Sequence, residues 1–103
     1  MKVEDVLAMP EVDRLFSALC LLETTDEVRA ALLDLCSVGE ICDLAQRFEM
    51  ARLLNGGASY LEVSERTGAS STTVSRVSKC LKSPTGGYRL VLDRLADEGS
   101  ARE

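Results

Sequence analysis

The residues best suited to chemistry lie close together, between positions 70 and 82 of the 103-residue chain. They combine short hydroxyl groups with cations: Ser70, Ser71, Thr72, Thr73, Ser75, Arg76, Lys79 and Lys82. Hydroxyl groups can hydrogen-bond to base edges, while arginine and lysine neutralise phosphates. Five serines and threonines between Ser71 and Ser78 also lower helical propensity, a cost that a merely solvated helix face would not require. The segment is therefore predicted to bind double-stranded DNA.

Charge is distributed unevenly along the chain. The whole chain carries −5, and its first 50 residues hold eleven acidic against four basic side chains, a net charge of −7. Residues 60–90 hold five basic against two acidic side chains, a net charge of +3. Because salt screens charges beyond roughly 8 Å at physiological ionic strength, the basic segment can attract an anionic partner despite the acidic total.

Other kinds of chemistry find little support in the sequence. Histidine is absent, which removes the commonest general base and the commonest zinc ligand. The four cysteines show no C-x-x-C spacing, so we expect neither a zinc site nor a disulfide framework. We interpret Cys20, Cys36 and Cys42 as small buried apolar residues. The acidic side chains suggest no nucleophile–base pair, so we predict no enzyme activity and no cofactor.

The elements that would position the basic segment are helices. Apolar residues repeat at steps of three and four in segments that begin near positions 10, 24, 37, 59, 70 and 88. Three of these starts have the form of a capping box, namely Thr24 with Glu27, Ser37 with Glu40, and Ser59 with Glu62. No segment alternates in the manner of a strand. The sequence predicts a single all-α domain, 1–103, of about six helices.

Positions 60–82 meet the requirements of a helix-turn-helix. Ser64 is the small residue needed where the second helix crosses the first, and Gly68 supplies a turn that tolerates positive φ. The apolar packing positions are Val63, Ala69, Val74 and Val77. The second helix is then predicted to expose Ser71, Thr72, Thr73, Ser75, Arg76, Ser78 and Lys79. A helical hairpin with a solvated serine-rich face is the alternative that the turn alone leaves open.

The N-terminal half carries more apolar helix surface than a small monomer can cover. Leucine-rich faces run through residues 12–54, and burying them on a second copy predicts a homodimer. No apolar run is long enough to span a membrane. Met1–Pro10 lacks the apolar core of a signal peptide, so we expect a cytoplasmic protein without a membrane partner.

From about Leu44 to Leu95 the chain resembles the Trp repressor family. The segments that carry this resemblance are ARLLNGG, SxxE, TGASSTTVSR and CLK. Over its full length the chain resembles most closely the Trp-repressor-related YerC/YecD proteins, a bacterial group. The resemblance implies an intertwined two-fold dimer that presents two helix-turn-helix units to successive major grooves and regulates transcription, as a repressor.

The resemblance also implies an effector pocket, although several residues of this pocket differ from those of the family. Arg76 matches one of the two arginines that hold tryptophan in the family, whereas Gln46 stands in place of the other. Val77 replaces a glycine beside the indole, and Cys80 and Cys36 replace a serine and a threonine. A pocket at Gln46, Arg76, Val77 and Cys80 is therefore expected to be unresponsive to tryptophan, and a different small ligand remains open.

The DNA-contacting positions of the family are retained in part. Lys82 matches a phosphate-binding lysine, and Thr73 and Ser75 match hydroxyl residues of the recognition helix. Leu61 replaces an arginine that reads guanine, so the resemblance implies a different operator sequence. A DNA-binding regulator is the leading interpretation, and a protein-interaction module on the same dimer scaffold is the alternative.

Overall fold

The structure, a computed structural model, describes residues 1–102, and side chains as far as Gly99. Within these residues the chain forms seven α-helices and no strand. The helices are α1 (Val3–Leu7), α2 (Pro10–Leu19), α3 (Thr25–Leu35), α4 (Val38–Asn55), α5 (Tyr60–Thr67), α6 (Ser71–Leu81) and α7 (Gly87–Arg102). The predicted all-α class is confirmed. In the described part of the chain, no helix is both long and apolar enough to cross a bilayer.

The additional helix is α1, a single turn that apolar periodicity does not predict. Its first turn is closed by the Asp5 carboxylate, which accepts from the Lys2 backbone N–H at 3.2 Å. The Val6 backbone N–H donates to the Lys2 carbonyl at 3.2 Å. A single turn of helix shows too little apolar periodicity to be predicted. The feature that could have indicated it is the spacing of Asp5, whose carboxylate lies three positions after the backbone N–H that it accepts from.

Side-chain caps begin α3 and α4, as the spacing predicts. Ser37 and Glu40 cap reciprocally: Ser37 Oγ accepts from the Glu40 N–H at 3.1 Å, and the Glu40 carboxylate accepts from the Ser37 N–H at 2.8 Å. The backbone hydrogen bond from Ser37 is the main reason why the pKa of Glu40 is lowered. Thr24 accepts from the Glu27 N–H at 3.1 Å, but the Glu27 carboxylate accepts from Glu23 instead of from the cap residue.

The chain divides into two compact units, an N-terminal unit of Met1–Ile41 and a C-terminal unit from Cys42 onward. In the C-terminal unit α6 contacts both α5 and α7. Its buried apolar core consists of Met50, Ala51, Leu53, Val63, Val74, Val77, Leu81 and Leu92. In the N-terminal unit α1 contacts α2, and no residue of this unit is buried. Phe16 is 50% exposed and Leu33 57% exposed.

The prediction that three cysteines are buried is wrong. Cys20 and Cys42 are exposed and Cys36 is half-buried. Periodicity identifies the apolar face of a helix but not whether anything covers that face. In a single chain the helix faces that carry these cysteines have little cover, so the thiols remain accessible to solvent.

Candidate nucleic-acid interface

The first helix of the predicted helix-turn-helix is α5, and its start is fixed locally. Ser59 Oγ accepts a hydrogen bond from the Glu62 N–H at 3.1 Å and lies 3.3 Å from a Glu62 carboxylate oxygen, to which it donates. This satisfies one of the backbone donors that a helix start leaves without an intrahelical partner. The capping spacing identified in the sequence therefore places the beginning of α5 correctly.

The turn between α5 and α6 depends on glycine. Gly68 follows Thr67 at the end of α5 with φ 75° and ψ 3°, a left-handed conformation. A Cβ built on Gly68 would meet nothing within 4 Å, so backbone strain, and not lack of space, favours glycine here. Ser64 Oγ donates to the Ala69 carbonyl at 2.5 Å and so bridges the turn. Ser64 was predicted as a small crossing residue, and the structure adds this hydrogen bond.

The second helix, α6, buries its apolar side as the sequence predicts. Val63 of α5 and Val74 of α6 are completely buried, and Val77 is nearly so. Ser78 is also buried, in contrast to its predicted exposure. Its Oγ accepts a 2.6 Å hydrogen bond from the Tyr60 hydroxyl, which ties the start of α5 to the second half of α6. Sequence spacing could not reveal this pair, because the two residues are 18 positions apart on different helices.

The opposite side of α6 is polar and open to solvent. The exposed members of the predicted DNA-binding set are Ser70, Ser71, Thr72, Arg76, Lys79 and Lys82, while Thr73 and Ser75 are half-buried. Ser70 is the N-cap of α6: its Oγ accepts from the Thr73 N–H at 3.2 Å and lies 3.0 Å from the Thr73 hydroxyl. These two hydroxyls are therefore engaged with each other at the helix start.

Two cations of α6, Arg76 and Lys79, and Lys82 directly after the helix are exposed and form no ion pair with a described carboxylate. Among the side chains described up to Gly99, the ion pairs are Arg29–Asp26 and Arg52–Glu49, and neither involves α6. Arg52 donates through two nitrogens to Glu49, with Nε 3.0 Å from Oε2. That hydrogen bond is the main reason why the pKa of Glu49 is lowered. Arg76, Lys79 and Lys82 thus present positive charge that no neighbouring ion pair cancels.

A groove of about 480 Å³ lies between α4 and α6. It brings together the four residues of the predicted effector pocket, Gln46, Arg76, Val77 and Cys80. Five further lining residues were not predicted for this pocket: Asp43, Arg47, Met50, Thr73 and Tyr88. Positions 43, 46, 47 and 50 follow helical spacing on one side of α4. Periodicity around Gln46 could therefore have predicted Asp43 and Arg47 as lining residues. Arg47 supplies a second guanidinium to the groove. It directly follows Gln46, the residue that the resemblance matches to the family's second ligand-binding arginine.

The Gln46 side chain does more than line the groove. Its Nε2 donates to the Thr67 carbonyl at 2.8 Å, across 21 positions of sequence. Thr67 is the last residue of α5 and directly precedes Gly68. A side chain of α4 therefore reaches the turn of the helix-turn-helix.

Comparison with known proteins yields the same family from sequence and from structure. The sequence profile described as Trp repressor protein matches residues 10–96. The chain is 40% identical over 93 residues to the uncharacterized protein YerC of Bacillus subtilis, covering 90% of this chain and 89% of YerC.

Two crystal structures are similar over nearly their whole length. A TrpR-like protein from Eubacterium eligens shares 40% sequence identity and superposes with a TM-score of 0.81, covering 87% of this chain and 93% of that one. A candidate Trp repressor from Staphylococcus aureus shares 35% identity with a TM-score of 0.83, covering 93% of this chain and 95% of that one.

Proposed function

The chain belongs to the Trp repressor family, and from this premise we propose that it is a sequence-specific DNA-binding regulator of transcription, not an enzyme. The observation that carries the proposal is the α5–turn–α6 geometry. Gly68 turns the chain in a left-handed conformation, buried valines fix α6 on α5, and the polar side of α6 remains open to solvent. This combination is what a recognition helix needs in order to enter a major groove.

The proposed contacts divide α6 along its length. Ser71, Thr72, Thr73 and Ser75, in its N-terminal half, would approach base edges, with Ser70 holding the helix start. Arg76, Lys79 and Lys82 would bind phosphates, which position the protein without reading sequence. The exposure of the three cations supports the second role.

We further propose that the protein binds DNA as a homodimer. The N-terminal unit buries none of its residues, although Phe16, Leu33 and Leu35 are large and apolar. Association of two copies through these helices would remove that surface from water. A two-fold dimer would present its helix-turn-helix units to half-sites about 34–36 Å apart.

Binding across a salt series tests the DNA proposal. The probes are a duplex enriched from a randomised pool by the parent protein and an unrelated duplex of equal length. Affinity should fall steeply with salt, and Arg76→Ala and Lys82→Ala should each lower the salt slope by about 0.9 on both duplexes. Thr72→Ala should reduce only the preference for the enriched duplex.

The matched control is Arg94→Ala, which removes the same charge from an exposed position of α7. It should leave the salt slope unchanged. If Arg76→Ala, Lys82→Ala and Thr72→Ala all bind like the parent, the proposal fails and a protein-interaction module on the same scaffold becomes the better hypothesis.

A small effector is compatible with the groove, but tryptophan is not the ligand we expect. Two guanidinium groups, of Arg47 and Arg76, would suit an anionic group on the ligand. Val77 occupies the wall where the family has a glycine, and the Gln46 amide is engaged with Thr67. Calorimetry with L-tryptophan should therefore give no heat of binding at micromolar concentration.

A further inference from the structure

One hydrogen bond connects the central helix of the C-terminal unit to the turn that positions α6. Gln46 of α4 donates from Nε2 to the Thr67 carbonyl, at 2.8 Å. We propose that Gln46 is a positioning residue, which orients the helix-turn-helix on α4 so that selective DNA binding requires no added small molecule. The inference deepens the proposed function and rests on it.

The acceptor lies where an external donor is most useful. The last four carbonyls of an α-helix have no intrahelical N–H partner, and Thr67 is the final residue of α5. Gln46 supplies the missing donor from a different helix. It thereby satisfies the carbonyl and anchors the end of α5 at the same atom.

The turn is tied together internally, so one anchor can orient all of it. The Thr67 hydroxyl donates to the Val63 carbonyl at 2.7 Å and accepts from the Ala69 N–H at 3.3 Å. The Ser64 hydroxyl donates to the Ala69 carbonyl. Because these contacts hold Thr67, Gly68 and Ala69 as one piece, a hydrogen bond to Thr67 constrains the direction in which α6 leaves the turn.

The apolar core cannot supply this constraint by itself. Met50 of α4 packs in the same buried cluster as Val63, Val74 and Val77. The hydrophobic effect is non-directional, so burial of these side chains holds the helices together without setting a preferred angle between a donor and an acceptor. A hydrogen bond weakens steeply when its angle is distorted, and the bond from Gln46 therefore selects one rotation of α5 and α6 relative to α4.

Substitution of Gln46 by an isostere without a donor tests the proposal. In Gln46→Met, exchange of the Gly68 and Ala69 backbone amides should accelerate about fivefold, the effect of one ordinary net hydrogen bond. The ratio of affinities for the pool-enriched duplex and a random duplex should fall by a similar factor. Both are measured on extensively dialysed protein, by hydrogen exchange and fluorescence anisotropy.

Two further variants separate positioning from a general effect on stability. Gln46→Lys keeps a donor and should bring both the amide exchange rates and the affinity ratio to within about twofold of the parent. Its added charge should strengthen binding to both duplexes alike, so the charge does not change the affinity ratio. Asn55→Leu removes another exposed amide from α4 and should change neither readout. Thermal unfolding of all variants identifies any loss of fold.

The outcomes distinguish this inference from the proposed function. If Gln46→Met leaves amide exchange and the affinity ratio unchanged, Gln46 does not position the turn. If the parent shows no duplex preference at all, the proposed function fails, while the exchange rates still decide whether Gln46 anchors Thr67. If the parent shows its preference only after a small molecule is added, independence from an effector is refuted.

Discussion

Helices α2 and α3 carry apolar residues at the same helical spacing as α5 and α6, yet the two pairs differ in what they bury. Val63 and Val74 in the C-terminal unit are completely buried, whereas Phe16 and Leu33 in the N-terminal unit are at least half exposed. The difference lies in the presence of a cover and not in the helices. Among the side chains described up to Gly99, eight form a buried core in the C-terminal unit, while no residue of the N-terminal unit is buried.

This contrast teaches that one chain contains two kinds of apolar surface. The first stabilises the fold of the C-terminal unit and positions α6. The second is available for association with another molecule, which we propose is a second copy. The following experiments test whether the two surfaces are as different as their burial indicates.

The largest effect is expected from a charge in the C-terminal core. Val74→Asp places a carboxylate at a fully buried position of α6, which should cost on the order of 4 kcal/mol and unfold the unit. Circular dichroism during thermal unfolding measures the loss, which should be similar at every protein concentration. Cooperative unfolding near the parent temperature would contradict the assignment of Val74 to the core.

A smaller and different effect is expected in the N-terminal unit. Phe16→Asp should weaken self-association roughly 30-fold, because the half-exposed Phe16 side chains of the two copies would together contribute about 2 kcal/mol. Sedimentation across a concentration series measures the change. A parent protein that remains an 11.2 kDa monomer at micromolar concentration would refute the dimer itself.

Two glycines should respond to alanine with opposite signs. Gly68→Ala should destabilise the C-terminal unit by about 1 kcal/mol, because φ 75° is strained for any L side chain. Gly39→Ala, in the first turn of α4, should be neutral or stabilising by up to about 1 kcal/mol, because alanine favours helix and its Cβ meets nothing within 4 Å. Urea unfolding of both variants gives the comparison. Equal effects would mean that neither backbone conformation matters.

The smallest effect concerns the cap of α4 at the edge of the N-terminal unit. The pKa of Glu40 is lowered from 4.5 by its hydrogen bonds with Ser37. Its stabilisation of the folded state is complete above the unfolded value and is lost as the pH falls through the lower folded value. Glu40→Gln should therefore reduce helix content slightly at neutral pH and converge with the parent in acid. A difference that persists unchanged in strong acid would contradict this cause.

Much of the local structure was predictable because its causes lie within a few residues. Ser37 and Glu40, or Ser59 and Glu62, satisfy backbone groups within one turn, so their spacing identifies helix starts. Gly68 identifies the turn for the same reason. The one missed helix, α1, is a single turn closed by Asp5.

The candidate site was predictable only in part. The four effector-pocket residues share one groove, but Asp43 and Arg47 were not predicted, because the resemblance matches single positions and not the whole side of α4. Ser78 was placed on the wrong side of α6, since its hydroxyl partner Tyr60 lies on another helix.

The sequence alone determined helices α2 to α7, the turn at Gly68 and the basic residues of α6, because capping, backbone strain and charge act over short distances. Tertiary structure decided the rest. Packing between helices that are distant in sequence decided three features. It left Cys20 exposed, buried Ser78 and brought Gln46 to Thr67. Periodicity in the sequence identifies the apolar face of a helix. Only the tertiary structure shows which element covers that face, because burial and side-chain hydrogen bonding require a second element at contact distance.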